Sequence, residues 1–266
     1  MIAVRLPLRV RLFSPLLRRI RPAPLATRLK HLLGVKRLVV RIDKGSFFVD
    51  PVSHLGNYLI RDGEYEPAME ATLRRFLAPG GVFADVGANE GYFSVLAGQI
   101  VGPTGRVIAV EPQARLRTVL EENIRLNGLR NVTLSDAAVS DTEGTAELFL
   151  APDLNTGSSG LARHTRYALP TQPVRTATLA HVLADAGADR IDLLKMDIEG
   201  FEYEAILGSK ELFRTGAVRA FALEFHPSAI RGRGHDPDEL VSFLSDCGYR
   251  EDRTTGNAVF VRDNGG

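Results

Sequence analysis

The sequence predicts an α/β protein built on a doubly wound, mostly parallel sheet behind a basic N-terminal extension. Three observations point there. From residue 82 onward, short apolar runs of strand length alternate with segments of helical period. A glycine-rich turn, Asp85-Val86-Gly87-Ala88-Asn89-Glu90-Gly91, follows the first run, where a strand passes into a helix. Carboxylates then follow later runs, at Glu111, Asp197, Glu199 and Glu224. Open α/β sheets bind their ligands beyond such strand ends.

The elements follow in order. Residues 1–41 carry eleven Lys and Arg, and no acidic residue precedes Asp43. The rest therefore has 22 basic against 32 acidic residues, within a chain of 266 whose formal charge is only +1. That balance excludes a strongly basic nucleic-acid binder and an acidic disordered chain. Arg or Pro interrupts every apolar stretch of the arm, so it reads neither as a signal peptide nor as a membrane span. Leu12, Phe13, Leu16, Leu17 and Ile20 with Arg18, Arg19 and Arg21 suit a basic amphipathic turn or two, fit for anionic lipid or an acidic partner. Pro7, Pro15, Pro22 and Pro24 break any long helix. The arm is expected as a solvated extension, dispensable for the ligand site, ahead of a folded domain over 42–266.

Residues 38–60 read as short strands and turns, with His54-Leu55-Gly56-Asn57 as punctuation. Met69, Leu73, Phe76 and Leu77 mark one helical face, which Pro79-Gly80-Gly81 ends. Strands are expected at 82–86, 107–110, 132–134, 146–150, 191–196 and 218–225. Helices are expected at 92–100, 114–126, 179–186, 202–213 and 237–247, and a polar stretch interrupts at 155–160. Residues 249–253 and 258–261 read as an antiparallel hairpin closing the sheet. The lone Cys247 cannot form an internal disulfide and no His/Cys group has zinc spacing, so a cytoplasmic location and no metal are expected.

The glycines of the first turn let the backbone approach a ligand, and Asn89 tolerates a left-handed conformation. Glu111, 24 residues after Gly87, can accept hydrogen bonds from both hydroxyls of a ribose. A dinucleotide fingerprint needs glycine where Asn89 and Tyr92 stand, so the turn does not fit NAD. Asp85 would repel a pyrophosphate and favour a sulfonium or an amine, which points to S-adenosylmethionine. Asp197 and Glu199 end a buried run before Gly200, and alternation puts Glu224 and His226 on one side of the next strand while that strand lasts; the plainer alternative for Lys195 or Glu202 is a pairing on the surface.

At these residues the sequence resembles the FkbM-type methyltransferases of the class I S-adenosylmethionine-dependent superfamily. The resemblance runs from Gly63-Glu64-Tyr65-Glu66-Pro67 to Glu224-Phe225-His226. It includes the turn from Asp85 to Gly91, Glu111-Pro112, Thr156-Gly157-Ser158-Ser159 and, most specifically, Lys195-Met196-Asp197-Ile198-Glu199-Gly200. Where Gly160 stands the family often has serine. The resemblance implies a Rossmann-like sheet of seven strands with the last antiparallel, and methyl transfer to a hydroxyl of a small molecule such as a sugar or a polyketide. It implies that Asp85 and Gly87 hold the methionine end of the cofactor, Glu111 the ribose, and Asp136 with Ala137 the adenine, while Tyr65 and Glu66 close over it. Asn89 and Gly91 belong to the same cofactor turn.

A neutral hydroxyl needs a base, and Asp197, Glu199 and His226 are the candidates at the right strand ends. Asp197 is favoured, Glu199 supports the turn or shares the proton, and His226 is the alternative base. The same residues with Glu224 offer ligands for a cation, a reading placed below a metal-free base. Two competing functions are an NAD-dependent oxidoreductase, opposed by Asn89 and Tyr92, and a non-catalytic adapter, opposed by the full set of strand-end carboxylates. Acceptor specificity is expected in 42–65, in 151–176 and in the loop 228–236, where Arg231, Arg233 and His235 could meet an acidic substrate.

Overall fold

The computed structural model describes residues 6–21, 23–151, 160–161 and 170–262. Helices α1 (Leu8–Leu17) and α2 (Ala23–Leu32) are followed by an antiparallel hairpin of β1 (Leu38–Ile42) and β2 (Gly45–Val49). The arm is therefore not a solvated extension. Pro7 precedes α1 and Pro24 lies in the first turn of α2, where no intrahelical N–H is needed, so only Pro15 falls deep inside a helix. Val10 and Leu17 of α1 bury themselves against Val35 and Val52. Lys30 donates to Asp50 at 2.5 Å, with both side chains buried. The domain boundary expected at residue 42 falls inside β1.

His54-Leu55-Gly56-Asn57, expected as a turn, opens α3 (His54–Arg61). The Ser53 hydroxyl caps it by accepting the Gly56 N–H at 3.0 Å. Gly56 is needed here because a Cβ would lie 1.9 Å from the Asp50 carbonyl oxygen. Helix α4 (Pro67–Phe76) follows, as its apolar period predicts.

The main domain runs β3 (Val82–Val86), α5 (Tyr92–Val101), β4 (Arg106–Val110), α6 (Ala114–Leu126), β5 (Val132–Ser135), β6 (Ala138–Val139), β7 (Gly144–Phe149) and β8 (Thr171–Ala177). It continues with α7 (Leu179–Asp185), β9 (Leu193–Met196), α8 (Glu202–Leu207), α9 (Lys210–Arg214), β10 (Ala220–Leu223), α10 (Pro227–Gly232), α11 (Pro237–Asp246), β11 (Tyr249–Asp252) and β12 (Val259–Arg262). Seven strands form one sheet in the order β11-β12-β10-β9-β3-β4-β5. All neighbours are parallel except those of β12. Strands β9 and β10 are buried at every position, as strands covered by helices on both faces are. The chain winds outward from β3 through β4 to β5, then restarts at β9 beside β3. The ligand crevice of such a sheet lies at that reversal, at the carboxyl ends of β3 and β9.

The final hairpin closes the sheet as expected, with β11 and β12 antiparallel to each other and β12 antiparallel to β10. Three expectations are corrected. Strand β8 went unread; it pairs β7 and β6 in a separate three-stranded sheet. The helix expected over 202–213 breaks at Gly208, where a Cβ would lie 2.4 Å from the Asp141 Cα. The strand expected to reach residue 225 ends at Leu223, so Glu224 and His226 do not alternate on a strand, and His226 instead precedes α10. The motif over 156–159 lies outside the described residues.

Candidate active site

Asp85 ends β3 almost wholly buried, accepting the Ser94 hydroxyl at 2.6 Å. Its other oxygen has no hydrogen-bond partner and lies 3.6 Å from the Lys195 ammonium. Gly87 takes φ +83°, and a Cβ there would lie 1.9 Å from the Asp197 carbonyl oxygen, so the turn presses directly on the end of β9. Asn89, also left-handed at φ +52°, aims its N–H at Glu111. Gly91 does not line the cavity. Its missing side chain makes room for Leu120, whose Cδ1 would be 2.1 Å from a Cβ, so Gly91 serves the packing of α6. Glu90, buried beside this turn, accepts from Arg37 at 3.0 Å, which ties the N-terminal arm to the ligand loop.

A cavity opens past the turn, lined by Gly87, Asn89, Glu111, Gln113, Ala137 and Phe201 among others. Glu111 accepts the backbone N–H groups of Asn89 and Gln113, each at 2.8 Å. Burial pushes its carboxyl up to about 7, against the pull of those two N–H groups. Ala137 lines this cavity as expected, and Asp136 does not. Adjacent residues leaving β5 point to opposite sides, and Asp136 lies exposed, 3.5 Å from Arg175. Gln113 and Phe201 carry no motif, so the sequence offered no signal for them.

Two further cavities meet the first at Asp197. One is walled by His54, Tyr65, Tyr92 and Phe93; the His54 and Tyr92 rings meet Tyr65 edge to face at 5.9 Å, and the Phe93 ring lies tilted against it at 6.0 Å. Glu66, left-handed at φ +45° ahead of α4, lines both, and Glu224 with Asn257 lines the other. Burial and the Glu66 carboxylate push the Tyr65 phenol far above its usual range. Lys195 is buried, which rules out the plainer alternative of a surface pairing. It donates to the Gly87 carbonyl at 3.2 Å and lies 3.9 Å from Asp197. The signal was its place in Leu193–Met196, a run too apolar to have an exposed face.

His226 does not fit the role of alternative base. Its Nδ1 lies 3.1 Å from the buried Glu202 carboxylate, and its Nε2 lies 3.8 Å from both Glu199 and Glu224. The Glu202 hydrogen bond leads in raising it to about 9, so at neutral pH it is a cation with no lone pair to offer. Glu199, left-handed at φ +54°, is pushed up to about 7 by burial and by Asp197. Asp197, Glu199 and His226 each offer one atom within 4.8 Å of the others, a set that could hold a divalent cation only once His226 gives up its proton. Glu202 is no surface residue either: its carboxylate accepts the Ile198 and Gly200 N–H groups at 3.3 and 3.0 Å. Arg233 and His235 are likewise occupied. Arg233 makes two 2.8 Å bonds to Glu204 and donates to the Gly200 carbonyl, and His235 stacks on Tyr203. Arg233 braces the Gly200 turn, and His235 packs on α8.

A seven-stranded sheet with its cavity at the β3/β9 reversal, a glycine turn, a ribose-type carboxylate and an acidic strand end defines a Rossmann-like class I methyltransferase site. Residues 85–251 match the methyltransferase FkbM domain, and the chain belongs to that family. It is 31% identical to methyltransferase sdnD of Sordaria araneosa over 67% of this chain and 76% of that protein. It is 27% identical to the AMB antimetabolite synthetase AmbE of Pseudomonas aeruginosa over 65% of this chain, and the match spans only 10% of AmbE. Among solved structures, a SAM dependent methyltransferase from Aquifex aeolicus shares 17% identity at a TM-score of 0.39, over 74% of this chain and 88% of that one.

The residues of the site fit S-adenosylmethionine as the cofactor. Gly87 and Asn89 line the cavity with the turn pressed against Asp197, Asp85 backs that turn with one oxygen 3.6 Å from the Lys195 ammonium, and Glu111 faces the cavity from the second strand.

Proposed function

We propose that the chain is an S-adenosylmethionine-dependent O-methyltransferase acting on a hydroxyl of a small molecule, with Asp197 taking the hydroxyl proton. One observation carries this reading: among the described residues Asp197 alone lines all three cavities. A group there reaches both the cofactor and whatever lies beside it. Its Oδ1 is buried without a hydrogen-bond partner, which supports a waiting acceptor atom.

Bound S-adenosylmethionine supplies an electrophilic methyl group on a sulfonium. Glu111 and the Gly87 turn would hold the cofactor's nucleoside, with Asp85 bracing the turn through Lys195, which donates to the Gly87 carbonyl. Orientation of acceptor and donor contributes roughly 7 to 11 kcal/mol to such a reaction. Asp197 accepts the proton as the hydroxyl attacks, a contribution of about 100- to 10,000-fold. Lys195, held between Asp85 and Asp197, keeps the two carboxylates from repelling each other. Glu199 lines none of the three cavities, and its carboxyl near 7 suits passing the proton outward. His226, already a cation, steadies Glu199, Glu202 and Glu224. The aromatic wall around Tyr65 suits an acceptor with an apolar face.

Methyl-labelled cofactor incubated with small-molecule pools, read by mass spectrometry, tests this. Label on an oxygen, with or without chelator, is the expected result. Label on nitrogen, carbon or a macromolecule would overturn the reading, and loss of transfer with chelator would make Asp197 a metal ligand.

A further inference from the structure

We infer that α1 and α2 form a docking surface for an anionic lipid membrane. Leu8, Leu12 and Leu16 recur every four residues along α1 and are 62, 52 and 58% exposed. They lie on one side of the helix, while Val10, Ser14 and Leu17 bury the other. On α2, Leu25 and Leu32 are 45 and 82% exposed. Five of the seven large hydrophobic side chains exposed among the described residues thus fall within residues 8–32. Single exposed leucines are ordinary, but a cluster on one helical hairpin marks a binding face.

Charge selects the occupant. Lys30 and Arg37 are used internally, by Asp50 and Glu90, but Arg11, Arg19, Arg21 and Arg28 are exposed on a segment with no acidic residue before Asp43. The remaining 225 residues carry ten more acidic than basic groups, so an anionic surface attracts this end and repels the rest. Leucines that enter the acyl boundary, flanked by arginines that reach the headgroups, are the composition of an interfacial helix. Among the described residues no helix is long and apolar enough to cross a membrane, so this hairpin lies on the surface. The Lys30–Asp50 pair and the Val10, Leu17, Val35 and Val52 cluster already fix the hairpin to the body, so docking needs little further ordering.

The test is sedimentation of the full chain with phosphatidylcholine vesicles, with or without phosphatidylglycerol, at low and high salt. Binding is expected only with the anionic lipid and should weaken with salt. Arg11→Gln/Arg19→Gln should lower partitioning about 25-fold, at about 5-fold per arginine. Leu8→Ser/Leu12→Ser/Leu16→Ser should lower it at least about tenfold. Both variants touch exposed side chains, so melting temperature and S-adenosylhomocysteine affinity should stay unchanged. Three results would overturn the inference: no sedimentation with anionic vesicles, binding that ignores the leucine substitutions, or a dimer that those substitutions dissolve, which would make a second copy the occupant.

Discussion

Replacing Gly87 with alanine perturbs the contact on which the site depends. At φ +83° a residue with a Cβ costs about 1–2 kcal/mol. The new Cβ would also lie 1.9 Å from the Asp197 carbonyl oxygen, and 3.0 Å from its carbon, so backbone must part from backbone. Such overpacking costs typically about 1–3 kcal/mol. The sum, about 2–5 kcal/mol, lowers the melting temperature of a chain this size by about 4–20 °C. Gly91 supplies the control. It shares φ +83°, but its Cβ would meet the movable end of Leu120. Calorimetric titration with S-adenosylhomocysteine should therefore show Gly87→Ala losing affinity by about tenfold or more, and Gly91→Ala keeping it despite a lower melting temperature. Equal affinities in the two variants, or wild-type affinity in Gly87→Ala, would refute the dependence of the site on that contact.

Arg37→Ala leaves Glu90 buried without its ion pair, so it should lower the melting temperature and weaken S-adenosylhomocysteine binding; a chain cut at Leu38 should do the same, and unchanged binding would show the arm to be separable. His226, raised from 6.5 to about 9, contributes stability that is complete below about 6.5 and lost as pH rises through about 9; His226→Gln should remove that slope from a melting-temperature profile. Glu111 is also raised, to about 7, so the ligand-free protein should lose stability as pH climbs from 4.5 through 7. Glu111→Gln should abolish that loss and weaken S-adenosylhomocysteine by about tenfold or more, and an unchanged pH profile would place the carboxylate in water.

Helix α6 was legible to the residue and α5 to within one, because their apolar positions repeat at helical period between Gly and Asn stops. The place of Glu111 and Asp197 beside the cavity was legible because the crevice of such a sheet lies at its strand ends. Strand β8 was not. It contains Pro173, alternates buried with exposed residues, and owes its existence to pairing with β7, which a local pattern does not show. Asp136 depended on a one-residue choice of side at the end of β5. The charge of His226 was illegible for a different reason: Glu199, Glu202 and Glu224 come together around it only after β9, α8 and β10 have packed. The arm misled because its prolines sit mostly where helices tolerate them, and because Asp50 and Glu90, the partners of Lys30 and Arg37, lie outside it in sequence.

The central claim is that Asp197 takes the proton of the acceptor hydroxyl, and single-turnover methyl transfer by Asp197→Asn on the identified acceptor tests it most directly. The variant should bind S-adenosylhomocysteine and melt like the wild type while its transfer rate falls about 100-fold or more. Transfer at near wild-type rate would contradict the claim.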